Sequence, residues 1–299
     1  MPLTSIPVHL VNPGQVFACL GFLEAADVLF GDARGRFEGG AGPSARFVLE
    51  AAGGADPFVG VLGALSTAHV RVQAPLPALW AESANGVEIE TDGCPAPIFP
   101  SAHPERMALP VRLDVMMAAG GRSLSLGHWA EGDTGRDSFK LYAGNRSGQQ
   151  IAEAMLHGAR DKAGRVKAPG LQTLWDADAA ALCRDPFGAV VPMGGSFNLD
   201  PRGGWTAIDA GYSPDRLSHA VASSPVVEIL AALGLEHARP GLRRHGVRYG
   251  AWVDPLPPIL ARPALGAADA GVPLRTFFFA LAWKGKNRVV TFAEEEMGA

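Results

Sequence analysis

Residues 16–30, Val16-Phe-Ala-Cys-Leu-Gly-Phe-Leu-Glu-Ala-Ala-Asp-Val-Leu-Phe30, carry only two polar side chains, Glu24 and Asp27. A helix that is apolar nearly all round has to be covered on every side. The rest of the chain must therefore be built around this one. Glu24 and Asp27 stand three apart and share a face. Gly31 supplies the stop. Asn12-Pro-Gly-Gln15 reads as a turn leading in, preceded by a first strand, Ser5–Val11, in which Pro7 favours an edge or a strand start. The role of this helix is to hold the fold. His9 reads as a structural histidine of the strand.

The pattern that follows is α+β. Ala45–Glu50 alternates as a second strand. Asp56 is placed to cap a helix that has Pro57 at its first position and runs through Leu65. His69–Gln73 is a third strand. This β-α-β-α-β opening predicts a ferredoxin-like unit of mixed strands and helices. Gly (37) and Pro (24) are both abundant, and they concentrate in irregular insertions. Residues 74–108 read as one such excursion, broken by a short strand, Val87–Glu90. Pro110–Met116 and Ser123–Trp129 flank Gly120-Gly121 as a hairpin.

The second distinctive stretch is Asp137-Ser-Phe-Lys-Leu-Tyr-Ala-Gly-Asn-Arg-Ser-Gly-Gln-Gln150. A short apolar run enters a loop with Gly144 and Gly148, and a helix follows to about Arg160. Ser147 is placed to cap that helix. The free amides of its first turn, the helix dipole and Arg146 favour an anion. Asp161–Lys167 is a solvated basic loop, and Leu171–Cys183 a further helix. Asp176 and Asp178 diverge on it, which argues against a metal pair. Phe197–Asp215 reads as two short strands around Asp200-Pro-Arg-Gly-Gly204, with Asp200 orienting Arg202 and a turn at Ser213-Pro214. Asp200 and Asp209 are weighed as a catalytic carboxylate pair, and structural pairing is favoured. A capped helix (Ser223–Gly234), a strand (Val247–Val253), a proline turn (Asp254–Arg262) and a terminal hairpin complete the pattern. The hairpin joins Thr276–Trp283 to Val289–Phe292 through a basic tip.

The net charge of −4 argues against a strongly basic, freely acting nucleic-acid binder, but the charges are unevenly distributed. Residues 1–133 hold 7 Lys/Arg against 14 Asp/Glu, and residues 134–167 hold 7 against 3. Residues 168–238 hold 3 against 8, and residues 239–299 hold 9 against 5, with Glu294–Glu296 as an acidic tail. Two basic blocks in an acidic chain offer a local track for phosphates. The candidate contacts are Arg136, Lys140, Asn145, Arg146, Ser147, Gln149, Lys162, Arg165, Lys167, Arg202, Arg244, Arg248 and Arg262. His128 and Trp129 are weighed as base-stacking residues, with Trp129 favoured for the core. The charge step and the loop Gly132–Arg136 divide the chain at 133/134, either as two α+β halves (1–133 and 134–299) or within one compact domain.

No nucleophile elbow, zincin motif or paired C-x-x-C is present, and no metal or other cofactor is expected. Cys19, Cys94 and Cys183 are odd in number and far apart, which reads as reduced thiols in the cytoplasm. No run of uninterrupted apolar residues reaches membrane-spanning length, and no secretory leader is legible, so no membrane role is expected. A metal-independent ribonuclease using His128, Tyr142 or His245 is the catalytic rival to a binding role.

Four stretches taken together resemble a known family: Asn12–Asp27, Phe139-Lys-Leu-Tyr-Ala-Gly-Asn-Arg-Ser-Gly148, Asp200–Pro214 and Trp252-Val-Asp-Pro-Leu-Pro-Pro-Ile-Leu-Ala-Arg262. The family is the third of the CRISPR-associated Csb-class proteins of type I-G (formerly I-U) systems. The resemblance runs from the first strand to the final hairpin. It implies a non-catalytic, Cascade-like subunit of the repeat-associated (RAMP) type, in which ferredoxin-like folds with glycine-rich loops hold guide RNA. Its implied partners are CRISPR RNA, target DNA, the backbone, guide-processing and large subunits, and a helicase-nuclease. In such assemblies base pairing reads sequence and the protein holds backbone and shape. A purely protein-interacting subunit is the third reading.

Overall fold

The computed structural model describes residues 4–40, 44–72, 110–117, 120–129, 141–142, 146–204, 221–243, 246–268, 271–284 and 287–296. Strand β1 (Thr4–Pro7) leads into helix α1 (Pro13–Phe30), then β2 (Arg34–Glu38), β3 (Arg46–Glu50) and helix α2 (Pro57–Ser66). Asn12 caps α1, its side-chain oxygen accepting from the Gln15 amide at 3.2 Å. The segment read as a turn is thus the first turn of the helix, with Pro13 presetting its φ. Gly31, at φ 82°, ends it. At 18 residues α1 matches a membrane span in length and apolar character, yet 83% of it is buried inside the protein. Asp56 caps α2 as predicted, accepting from Phe58 N at 2.9 Å.

The first sheet has the order β1-β3-β2, with β3 antiparallel to both neighbours. Pro7 lies on its edge, where a missing amide leaves no ladder bond unmade. The sequence reading lacked β2. The strand that follows α2, β4 (His69–Val72), does not join this sheet. It pairs with the predicted hairpin, β5 (Val111–Met117) and β6 (Gly120–Leu126), in a second antiparallel sheet ordered β4-β5-β6. The excursion 74–108 and its strand 87–90 lie outside the described residues.

Helix α3 (Gly148–His157) is followed by the short hairpin β7 (Ala159–Arg160) and β8 (Val166–Ala168), then α4 (Leu171–Arg184). Helix α4 is interrupted at Asp178, whose carboxylate accepts from Ala181 N at 2.9 Å. Strand β9 (Val191–Pro192) pairs with β10 (Ala222–Ser223), which leads into α5 (Pro225–Gly234). Strands β11 (Gly241–Arg243) and β12 (Gly246–Trp252) precede helix α6 (Pro258–Leu265), which stands where a proline turn was predicted. Pro258 opens it, and its fixed φ suits a first helical position as well as a turn. Strands β13 (Leu274–Phe279), β14 (Leu281–Lys284), β15 (Asn287–Val290) and β16 (Glu294–Glu295) follow. The predicted final hairpin is β14–β15 alone. Strand β13 joins the sheet β11-β12-β13-β16, and the acidic tail forms its edge strand.

Helix α5 lies directly on α1. A Cβ on Gly21 would stand 2.7 Å from the Leu230 carbonyl carbon, and one on Gly234 would stand 2.8 Å from Gly21 N. The two backbones therefore touch with no side chain between them. Three further bonds tie residues before 133 to residues after it: Tyr249 Oη to Leu10 O at 2.5 Å, Trp252 Nε1 to Gly35 O at 2.7 Å, and Ala293 N to Val11 O at 2.8 Å. One core of buried side chains runs from Ile6 to Ala293 across that point.

Candidate nucleic-acid interface

The segment 197–204 supports the region around Arg146. Phe197–Asp200 is not a strand, because its amides point at a buried carboxylate. Glu228, in the first turn of α5, accepts from Phe197 N at 2.8 Å, Leu199 N at 3.1 Å and Asp200 N at 2.9 Å. Burial pushes Glu228 up to about 7, and the nearby Asp200 charge acts in the same direction against those amides. Asp200 is itself buried. It takes Arg202 through both oxygens (2.7–3.0 Å), Ser223 Oγ at 2.9 Å, Ser224 N at 3.1 Å and Asn12 Nδ2 at 3.2 Å. Burial opposes its charge, but the bonds and charge of Arg202 hold its carboxyl below the usual range. Asp200 thus joins the caps of α1 and α5, in the structural role favoured from the sequence. The second half of the proposed carboxylate pair, Asp209, lies outside the described residues.

Asn198 extends this support to the loop before α3. At φ 64° it turns its Nδ2 to Leu141 O (3.1 Å), while its carbonyl accepts from Val290 N at 3.3 Å. Leu141 and Tyr142 are buried. Tyr142 meets Trp129 edge-on at 5.6 Å, and Trp129 stacks on Phe197 at 5.2 Å. The Trp129 ring also covers Gly148, where a Cβ would come within 2.9 Å of Trp129 Cε2. Both ends of the loop are therefore held by one aromatic cluster. Ser147 caps α3 in a reciprocal capping box, accepting from Gln150 N at 3.2 Å while Gln150 Oε1 accepts from Ser147 N at 3.1 Å. Gln149 holds Glu153 at 2.9 Å.

Arg146 is exposed, and its Nη1 donates to the Gly194 carbonyl. Gly194 packs against Ala159 and Ala168 at the base of the β7–β8 hairpin, and Gly195 lies over Ile151 and Ala154 of α3. This segment runs along α3 and brings the start of the helix and the basic hairpin into one structural unit. Arg160, Lys162, Arg165 and Lys167 on the hairpin are all exposed. Its acid, Asp161, pairs with Arg165 at 2.8 Å, and Arg165 stays 81% exposed. Hydrogen bonds from the Arg165 amide hold Asp161 below the usual carboxylate range, so it remains charged. Four bases stand against one acid, on a hairpin that begins just past the C-terminal end of α3. Sequence reasoning omitted Arg160 because it placed that residue at the end of the helix.

The predicted contacts later in the chain, Arg202 and those of the C-terminal basic block, are arranged differently. Arg202 also donates to Phe187 O at 2.7 Å. Arg262 takes both oxygens of Glu24 at 2.7 and 2.8 Å. Arg248 pairs with Glu296 at 2.6 Å, and Arg275 pairs with Glu295 at 2.7 Å. Of the predicted contacts, Arg202, Arg248 and Arg262 are thus bound to the protein's own carboxylates. Arg136, Lys140, Asn145 and Arg244 lie outside the described residues. His128 and Trp129 are buried at 1% and 3% exposure and are not available for base stacking from solvent. Burial and the Arg239 charge push His128 down to about 3, and burial raises Tyr142. Neither group titrates near neutrality, and His245 lies outside the described residues.

Compared with known proteins, the chain matches no family model, no curated protein and no solved structure.

Proposed function

We propose that this chain is a non-catalytic, nucleic-acid-binding subunit of a type I-G CRISPR-RNA-guided surveillance complex, working in the cytoplasm. Its direct ligand is the guide RNA backbone. The observation that carries the binding half of this reading is the exposed cluster Arg146, Arg160, Lys162, Arg165 and Lys167, built on α3 and the β7–β8 hairpin. Flexible bases on a hairpin suit phosphates and carry no base readout. The assembly itself is inferred from the sequence resemblance.

The ferredoxin-like reading draws support from the order β1-β3-β2, in which α1 connects the outer strands and β3 sits antiparallel between them. That is three-quarters of such a unit, and β4 departs from it by pairing with β5. A binding role is favoured over the ribonuclease because His128 and Tyr142 are buried, with pKa values displaced away from neutrality. General acid–base catalysis works best with groups poised near the operating pH.

The test is a pull-down of the tagged chain from cells expressing its neighbouring genes, with bound RNA sequenced after nuclease and high-salt washes. Discrete CRISPR RNA of uniform length, recovered with partner proteins, is the expected result. The triple variant Lys162→Glu, Arg165→Glu, Lys167→Glu should lose the RNA while remaining folded. Absence of both RNA and stable partners from a folded protein would refute the proposal.

A further inference from the structure

The face of the β4-β5-β6 sheet turned away from the core is rich in hydrogen-bond donors. On the core side, Val111, Leu113, Val115, Leu124 and Leu126 are buried. The alternate residues, His69 and Arg71 on β4, Arg112 on β5 and Ser123 on β6, are exposed. Register places Arg71 directly opposite Arg112, and His69 opposite Asp114, which in turn faces Ser123. Two arginines in directly opposed positions repel. A single carboxylate lies between them: Arg71 Nε reaches Asp114 at 3.0 Å and Arg112 Nε reaches it at 2.9 Å, while Ser123 Oγ donates to it at 2.8 Å. The side chains of Arg71 and Arg112 remain 66% and 45% exposed, so both guanidiniums keep donors turned to solvent. The site carries one positive charge beyond what Asp114 neutralises. It does so inside the stretch 1–133, where acids outnumber bases 14 to 7.

We propose that this open sheet face is a second phosphodiester-binding track, in which Arg71 and Arg112 hold the backbone of single-stranded RNA with Asp114 and Ser123 fixing their geometry. The inference rests on the nucleic-acid-binding reading above and adds a site on a different element. Guanidiniums in pairs are suited to phosphate oxygens, since each presents a planar fork of donors. Among the described residues this face carries no Phe, Tyr or Trp, and His69, opposite Asp114, is its one ring; contact is therefore mainly with the backbone and largely independent of sequence. A protein partner is disfavoured because interfaces between proteins centre on apolar anchors. Here Met116, near the turn of the β5–β6 hairpin, is the exposed large apolar side chain of β5.

The experiment measures binding of a fluorescein-labelled single-stranded RNA of mixed sequence by anisotropy across a salt series, using the full chain. Each lost phosphate contact should reduce the salt slope by about 0.7. Arg71→Gln with Arg112→Gln should therefore weaken binding several-fold and flatten the slope by about 1.4. Asp114→Asn removes the competing carboxylate and should tighten binding and steepen the slope, an effect that loss of structure does not produce. Thermal melting of each variant confirms its fold. Unchanged affinity and slope in both variants, while the hairpin triple variant loses RNA, overturns this inference and leaves the hairpin reading intact. Loss in the sheet variant with none in the hairpin variant supports this track and refutes the hairpin as the site. No binding by the wild-type chain at low salt overturns both. Unchanged RNA binding with loss of partner proteins from the pull-down would assign the face to a protein and overturn the inference.

Discussion

Replacing Gly21 with alanine tests the central packing of the fold. The new methyl would meet the Leu230 carbonyl carbon at 2.7 Å and Gly234 N at 3.2 Å, where ordinary contact begins at 3.4 Å. Both obstacles are backbone, so no side chain can swing away. The Leu230 carbonyl oxygen stands nearer still, so relief requires α1 and α5 to separate by roughly 1 Å or more, and a gap of about 1 Å forfeits up to half of each dispersion contact across the interface. Overpacking of this kind costs about 1–3 kcal/mol or more. A rigid obstacle on both sides of the crossing puts the cost near the upper end. Alanine returns about 1 kcal/mol of helix propensity. The net loss should be about 2 kcal/mol or more, a large fraction of the roughly 5–15 kcal/mol that stabilises a typical domain. Urea unfolding followed by circular dichroism reads it directly. Gly40→Ala, whose Cβ meets nothing within 4 Å, is the control and should leave the midpoint in place. A midpoint for Gly21→Ala equal to or above wild type would mean that propensity outweighs the clash, and the backbone-to-backbone crossing would be refuted.

Two buried groups should give opposed pH dependences. His128, pushed from 6.5 down to about 3 by burial and Arg239, keeps its stability above its unfolded value and loses it as pH falls, by about 2 kcal/mol at pH 5. Glu228, pushed from 4.5 up to about 7, works the other way, with stability growing as pH falls from 7 toward 4.5. In urea titrations at pH 7 and pH 5, Glu228→Gln should therefore expose the acid loss and His128→Gln the acid gain; identical slopes in the two variants would contradict the assignment. Asp200→Ala strands Arg202, Ser223 and the Ser224 amide and should cost about 3–5 kcal/mol. Measured against Asp185→Ala on the exposed end of α4, a cost below 1 kcal/mol would show that water replaces the carboxylate without loss.

Local signals made several elements legible. The apolar run to Phe30, the pairs Asp56-Pro57 and Ser224-Pro225 and the Ser147 cap all act within a few residues of themselves, and each marks a real boundary. Gly120-Gly121 signalled the hairpin but not the place of its turn, since both glycines pair in β6, with Met117 and Met116. Strand β2 was not legible because Arg34-Gly-Arg-Phe-Glu38 carries one apolar side chain, and it becomes a strand only by pairing with β3. Helix α6 hid behind prolines that serve a turn and a helix start equally well. The candidate site divided in the same way. The exposed bases of the β7–β8 hairpin lie within one local stretch and read correctly as solvated. Arg262 looked free because its partner, Glu24, is 238 positions away. The opposition of Arg71 and Arg112 depends on a strand register that spans the excursion 74–108, and no composition count contains it.

Asn198 is a position where residue identity is almost fully determined. Its left-handed backbone admits glycine, asparagine or aspartate with little strain. Its side chain must also donate a hydrogen to the Leu141 carbonyl. Glycine keeps the conformation and loses the donor, and aspartate places an acceptor against an acceptor. Asparagine alone of the three meets both demands. A library randomised at this codon and selected for folded protein should return one amino acid, which would mark where three distant segments of the chain agree on a single shape.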